Sequence, residues 1–284
     1  MKVEKVLVIG AGQMGGGIAQ VLAQAGYDVL LNDYKAENIE ARIESIKAGL
    51  EKQVSRERMT AEDKDATLAK ISACADTKEA GDVDLVIEAI VENMDVKKDL
   101  VKGLNEVLKD DAIFATNTSS LSITELATAY KKPENVIGMH FFNPVPVMKL
   151  VELIRGIGTS DETYKAVKEV SDKIGKTSVE IKDFPGFAVN RILIPMINEA
   201  INTVYSGVAS IEDVDNAMKL GANHPMGPLE LGDFIGLDTV LAIMETLYEG
   251  FGDQKYAPSP LLRNYVRAGW LGRKTGKGFY DYSK

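Results

Sequence analysis

The stretch from Val6 to Asp33 constrains this chain more than any other. Val6 to Ile9 is a short β-branched and leucine run, and Gly10-Ala11-Gly12-Gln13-Met14-Gly15 follows it directly. A helix-like segment then runs to about Gly26, a second apolar run covers Asp28 to Leu31, and Asp33 stands eighteen residues beyond Gly15. Strand, glycine turn, helix and strand make a βαβ unit whose turn can hold a pyrophosphate. Gly10 permits the tight turn, Gly12 lets backbone N–H groups approach an anion, and Gly15 allows the helix to pack closely on the strand. A lone GxGxxG is weak evidence, but one that follows a strand and is answered by an acid points to a dinucleotide site.

Asp33 suits a ribose diol and would repel a 2′-phosphate, and its neighbour Tyr34 is not the arginine that would welcome one. NAD is therefore favoured over NADP, with Lys35 leaving the choice open. Asp33 can also be read as a strand-terminating turn residue.

The alternation continues beyond this unit. Helical segments are expected at Ile39 to Lys52 and Ala61 to Lys70, with a short apolar run near Ile71 and a strand from Val83 to Ala89. A charged helix from Asp95 to Leu108, a strand from Ala112 to Thr116 and a helix opened by Ser122 with Glu125 come next. Such alternation predicts a mostly parallel sheet. Val136 to Phe142 and Leu150 to Ile154 are joined by too few residues for a crossover, so these two strands should be antiparallel. A helix from Asp161 to Ile174 and a strand from Ser178 to Ile181 complete the α/β part.

Asp183-Phe184-Pro185-Gly186 breaks the pattern. Residues 1–183 are therefore expected to form a Rossmann-type α/β domain, and residues 184–284 an all-α domain. In the second part, Val189 to Val204 reads as a buried central helix, with further helices from Ser210, from Leu237 to Tyr248 and from Ser259 to Ala268.

Composition excludes several classes of function. One cysteine, Cys74, and two histidines allow neither an internal disulfide nor a zinc cluster, and fit a reducing cytoplasm. A net charge of -9 repels nucleic acid and anionic membrane surfaces, so a phosphate-bearing ligand must be held locally. The longest uncharged stretch, Val6 to Tyr27, holds six glycines and three glutamines, so it would span a membrane poorly. It does not read as a signal peptide either.

Two side chains stand out chemically. His140 is of the residue type that carries protons near neutral pH, as hydroxyl oxidation requires. In an antiparallel pair the opposed residues have a constant index sum, and a reversal centred on Pro146 sets His140 opposite Glu152. Glu152 interrupts Leu150, Val151, Leu153 and Ile154, where an unpartnered carboxylate would be costly. A carboxylate on one ring nitrogen would fix the tautomer and stabilise the imidazolium. The plainer alternative is an ordinary histidine beside a solvated charge, because hairpin registers slip.

Other positions divide between ligand binding and simple structure. Asn117-Thr118-Ser119-Ser120 follows a strand at the ligand-binding end of such a sheet, where Ser119 could donate to a substrate oxygen and Asn117 serve a ribose, or both could cap a helix. Asn190, in the first turn of the central helix, could reach back into a cleft or merely fit the helix start. Glu92 and Lys97 lie near the cofactor crevice but could be surface charges. Lys52 and Arg56 form a basic pair that could bind phosphate or simply end a helix. His224, in a turn-rich stretch, reads as structural.

Met139-His140-Phe141-Phe142-Asn143-Pro144, Glu152, Asn117-Thr118-Ser119-Ser120 and Pro185-Gly186-Phe187-Ala188-Val189-Asn190-Arg191 resemble the 3-hydroxyacyl-CoA dehydrogenase family. The match extends through His224 to Asp238 and Gly269 to Tyr280, covering essentially the whole chain. The resemblance implies His140 as catalytic base, Glu152 as its orienting partner, and Ser119 and Asn190 as groups on the substrate oxygen. It also implies NAD held by the turn Gly10, Gly12, Gln13, Met14 and Gly15 together with Asp33, Glu92, Lys97 and Asn117. An acyl-CoA substrate and a homodimer made by the helical domain complete what the resemblance implies, and the spacing of Lys52 and Arg56 adds them as candidates for binding that substrate. The rival readings are a two-domain dehydrogenase of free β-hydroxyacids and a non-catalytic dinucleotide-binding relative. The run Gly15-Gly16-Gly17 is richer in glycine than the fingerprint requires, at a cost in helix propensity.

Overall fold

A computed structural model describes residues 2–283 and divides the chain into two compact units, Met1–Asp183 and Phe184–Lys284. In the first, β1 (Lys5–Ile9), α1 (Gln13–Gln24), β2 (Asp28–Asn32), α2 (Ala36–Ser55), α3 (Ala61–Ala69) and β3 (Ile71–Ala73) follow in order. They continue into β4 (Leu85–Glu88), α4 (Met94–Leu104), β5 (Ile113–Thr116), α5 (Ile123–Ala127), β6 (Val136–Phe141), β7 (Leu150–Arg155), α6 (Asp161–Lys173) and β8 (Thr177–Lys182). The eight strands form one sheet in the order β3-β2-β1-β4-β5-β6-β7-β8, in which only the β6–β7 pair is antiparallel. The mostly parallel sheet with one antiparallel pair is the architecture that the alternation implies.

Strands β4, β5 and β6 are buried at every residue, as near-continuous apolar runs covered on both faces should be. Ile18, Leu22, Ile39 and Leu50 bring α1 and α2 onto the same core. Polar residues start the helices where the sequence signals them. Asn93 accepts from Val96 N–H at 3.0 Å, Ser122 from Glu125 N–H at 3.1 Å, and Ser160 from Thr163 N–H at 3.1 Å. Helix α4 ends at Leu104, short of the expected Leu108. The Asn105 side chain turns away to donate to Ala129 O at 2.8 Å and accept from Lys131 N–H at 2.8 Å, fastening a distant loop where the helix would have continued.

The second unit comprises α7 (Val189–Tyr205), α8 (Ile211–Gly221), α9 (Pro228–Ile235), α10 (Leu237–Phe251) and α11 (Pro260–Arg267). Helix α7 packs against all four others, and Ile194, Ile197 and Ile201 sit at the centre of their shared core. Helix α9 is not legible locally. Its first N–H groups, on Leu229 and Glu230, donate to the buried Asp215 carboxylate of α8 at 2.8 and 3.0 Å. That cap comes from another helix. Asp233, on α9, accepts from Phe279 N–H, Tyr280 N–H and the Tyr282 hydroxyl, and so fastens the C-terminal residues. Burial raises its carboxyl above the ordinary value despite these three donors. No described helix is long and apolar enough to cross a membrane.

Candidate active site

The site is built at the edge of the sheet where β1, β4, β5 and β6 all end. Gly10 closes β1 with φ 106°, and a Cβ there would lie 2.4 Å from Ala89 O. At Gly15 a Cβ would lie 1.8 Å from Gly10 O, so α1 can approach its own turn only without a side chain. Gly12 differs from both: a Cβ there would meet nothing within 4 Å, so open space lies before the first turn of α1. No side chain caps this helix. The leading N–H groups, including those of Gln13 and Met14, have no acceptor within the helix and suit an anion.

Asp33 follows β2 beside this turn. Its Oδ2 accepts from Ala11 N–H at 2.8 Å, and its Oδ1 accepts from Asn38 Nδ2 at 2.8 Å and Lys35 N–H at 3.2 Å. Burial opposes the charge, but these bonds and the Lys35 ammonium outweigh it and hold the carboxyl below its usual range. The adjoining cavity, about 350 Å³, is lined in part by Ala11, Gly12, Asp33, Asn38, Arg42 and Ser45. An acceptor, bare helical N–H groups and a cavity between them fit the ribose and pyrophosphate of a dinucleotide.

The β6–β7 register pairs His140 with Glu152, as the index sum requires. Nδ1 of His140 lies 2.8 Å from Oε2 of Glu152, and both residues are buried. Lys176 ties the reversal between them from behind, donating to Val145 O at 2.5 Å and Met148 O at 2.7 Å. Gln13 Nε2 donates to Asn143 Oδ1 at 3.0 Å, which joins the glycine turn to the chain three residues beyond His140. Gly17 permits the approach, since a Cβ there would lie 2.8 Å from Val145 Cβ.

Asn117 locks β5 to β6 by accepting from Phe141 N–H through Oδ1 at 2.9 Å. Glu92 gathers the next residues. Its Oε1 accepts from the Thr118 hydroxyl at 2.7 Å, Ser119 N–H at 2.8 Å and the Ser119 hydroxyl at 3.1 Å. Burial works against this charge, yet the Lys97 ammonium and these donors keep the carboxyl below its ordinary value. Lys97 is not a surface residue: it is 1% exposed, with Nζ 2.6 Å from Oε1 of the fully buried Glu88 and 3.5 Å from Oε2 of Glu92.

Sequence reasoning misses Glu88 and Arg42. Glu88 carried a signal, a carboxylate near the end of an apolar strand, of the same kind that singled out Glu152. Lys52 and Arg56 are exposed at the end of α2, where Lys52 lies ten residues past Arg42, about 15 Å along the axis at the usual rise. In the second unit, Asn190 is buried in the first turn of α7, and His224 lies on the connection before α9.

A glycine turn at a bare helix N-terminus, an acid at the end of β2 and a doubly wound sheet define a dinucleotide-binding α/β protein of the Rossmann class. Residues 5–184 match the family model of the 3-hydroxyacyl-CoA dehydrogenase NAD binding domain, and residues 186–282 match that of its C-terminal domain. The chain belongs to the 3-hydroxyacyl-CoA dehydrogenase family. It is 57% identical to the 3-hydroxybutyryl-CoA dehydrogenase of Bradyrhizobium diazoefficiens over 280 residues, which cover 99% of this chain and 96% of that one. It is 53% identical to a probable 3-hydroxybutyryl-CoA dehydrogenase of Bacillus subtilis, over 100% of this chain and 99% of the relative. The crystal structure of (S)-3-hydroxybutyryl-CoA dehydrogenase from Ralstonia eutropha superposes with a TM-score of 0.98 at 48% identity, covering all of both chains.

Proposed function

We propose that this chain is an NAD-dependent dehydrogenase that interconverts (S)-3-hydroxybutyryl-CoA, or a similarly short 3-hydroxyacyl-CoA, and acetoacetyl-CoA. The observation that carries the reading is the buried His140–Glu152 pair, 2.8 Å apart and fastened to the glycine turn through Asn143 and Gln13. NAD, when bound, supplies a hydride acceptor for the substrate carbon C3. With Glu152 on Nδ1, the other ring nitrogen, Nε2, is the one that exchanges a proton with the substrate hydroxyl. Glu152 stabilises the imidazolium so formed. In the reverse direction the protonated ring returns the proton.

Ser119 is assigned to the substrate oxygen, and its present donation to Glu92 holds the hydroxyl in place until a ligand competes for it. Asn190 is assigned to substrate binding, as a buried amide in the first turn of a helix. Lys52 and Arg56, exposed cations in an acidic protein, are assigned to coenzyme A phosphates. Steady-state kinetics checks the substrate class: acetoacetyl-CoA should be reduced with NADH, free acetoacetate should not, and free coenzyme A should compete. Equal turnover of the free acid would overturn the acyl-CoA reading.

The same reading makes the protein a cytoplasmic homodimer formed by the helical unit. Support comes from the exposed Ile192, Tyr205, Val208 and Leu220 on that unit and from the acidic, single-cysteine composition. Activity in the soluble fraction of lysed cells, sedimenting at twice the mass of one chain, is the expected outcome. Activity that sediments as a single chain would refute the dimer, and activity that pellets with membranes would refute the location.

A further inference from the structure

We propose that Lys176 is a positioning residue for the reaction: its ammonium holds the reversal between β6 and β7, and through it keeps the His140 imidazole in register with the glycine turn. The inference rests on the dehydrogenase reading above and adds to it a residue that acts only through others.

The β6–β7 ladder does not reach the reversal. Its last pair is Phe141 with Val151, so residues 142–149 must be held by other means. Val147 N–H and Met148 N–H both donate to Pro144 O, at 2.9 and 3.0 Å, and close a turn at the tip. Lys176 Nζ donates to two carbonyls of the same segment, Val145 O at 2.5 Å and Met148 O at 2.7 Å. The next residue, Thr177, donates from its N–H to Lys149 O at 2.8 Å. Lys176 and Thr177 together fasten the reversal to the start of β8.

The choice of side chain is the anomaly. Lys176 is 8% exposed, and burial alone pushes its ammonium below the ordinary lysine value. Among the described residues no carboxylate pairs with it. A buried charge without a counter-ion is costly, and a neutral hydroxyl or amide could also tie down a carbonyl. What the ammonium adds is charge-assisted bonds, roughly twice as strong as neutral ones, from one atom to two carbonyls. That added strength falls on the segment that carries the site.

The reversal meets the dinucleotide turn and its helix at two points. Asn143 Oδ1 accepts from Gln13 Nε2 at 3.0 Å. The buried Val145 lies so close to α1 that a Cβ on Gly17 would come within 2.8 Å of its own. One of the carbonyls held by Lys176 belongs to this same Val145. Release of Lys176 therefore lets the reversal shift against α1, and with it the end of β6 that bears His140. A misplacement of about 1 Å between reacting groups can cost about a hundredfold in rate, without deleting any group assigned to either ligand.

Single-turnover reduction of acetoacetyl-CoA by NADH in stopped flow tests this, set beside NADH binding by fluorescence and the thermal melt of each variant. Lys176→Met, close in length but uncharged, should slow hydride transfer and kcat by about 10- to 100-fold. NADH affinity and KM for acetoacetyl-CoA should stay within about twofold, the split expected when the transition state alone is affected. Lys176→Arg, which keeps a cation and its donors, should recover most of the rate, a rescue that a merely space-filling role would not show. Lys176→Gln, a shorter neutral donor, should also be slow and covers the case in which the methionine variant does not fold.

Hydride transfer at the wild-type rate in Lys176→Met, an equal loss of NADH affinity, or equal losses in the methionine and arginine variants would overturn the proposal. A wild type that does not reduce acetoacetyl-CoA overturns the dehydrogenase reading itself, and this proposal with it.

Discussion

His140→Ala is expected to lower turnover by roughly 10² to 10⁴, the range for loss of a positioned general acid or base, with NADH affinity nearly unchanged. The ring lies at the end of β6, whereas the groups that line the dinucleotide cavity come from the glycine turn, β2 and α2. Loss of the imidazole therefore falls on kcat and kcat/KM for acyl-CoA more than on cofactor binding. Glu152→Gln should also slow turnover. The neutral amide cannot stabilise an imidazolium as a carboxylate does, although its shape keeps the hairpin packed. Stopped-flow hydride-transfer rates, set beside NADH binding by fluorescence, check both variants. Full turnover in His140→Ala would remove the imidazole from the chemistry.

Lys97→Met should strongly destabilise the first unit. The ammonium is almost wholly buried between Glu88 and Glu92, and without it the buried Glu88 keeps only Ile90 N–H at 2.7 Å and the Thr116 hydroxyl at 2.7 Å. Breaking a buried ion pair in this way costs roughly 3–5 kcal/mol, which for a unit of this size lowers Tm by roughly 6–20 °C.

Glu88→Gln should cost less, because Lys97 retains the Glu92 carboxylate at 3.5 Å. Removing both charges of the buried pair should recover part of the loss, since no uncompensated charge is then left buried at position 88. Thermal melts of the two single variants and of Glu88→Gln with Lys97→Met check this. A Lys97→Met protein that melts with the wild type would show that the buried charges are not coupled.

Both expectations concern carboxylates at the sheet edge, yet only one of these was legible in advance. Glu152 could be matched to His140 because a short reversal ties their positions arithmetically, and one index sum determines the whole β6–β7 register. Glu88 finds Lys97 across the loop that opens α4, and nothing local says whether that lysine turns inward or into water. The Glu92 contacts to Thr118 and Ser119 likewise join segments separated by a full strand and helix. Helix α9 escaped notice for the same reason: the carboxylate that caps it, Asp215, lies fourteen residues upstream.

The order of strands and helices in the first unit, the glycine turn and the His140–Glu152 pairing all followed from the amino-acid sequence. Each depends on residues close along the chain, where hydrophobic period, glycine placement and turn length act directly on backbone geometry. Only the folded chain decided that Lys97 is buried, that Lys176 meets two carbonyls of the reversal, and that Asp215 starts a helix it does not belong to. Those outcomes depend on which distant polar groups meet once water is excluded. A buried charge must find its partner wherever packing places one, and sequence spacing carries no record of that distance.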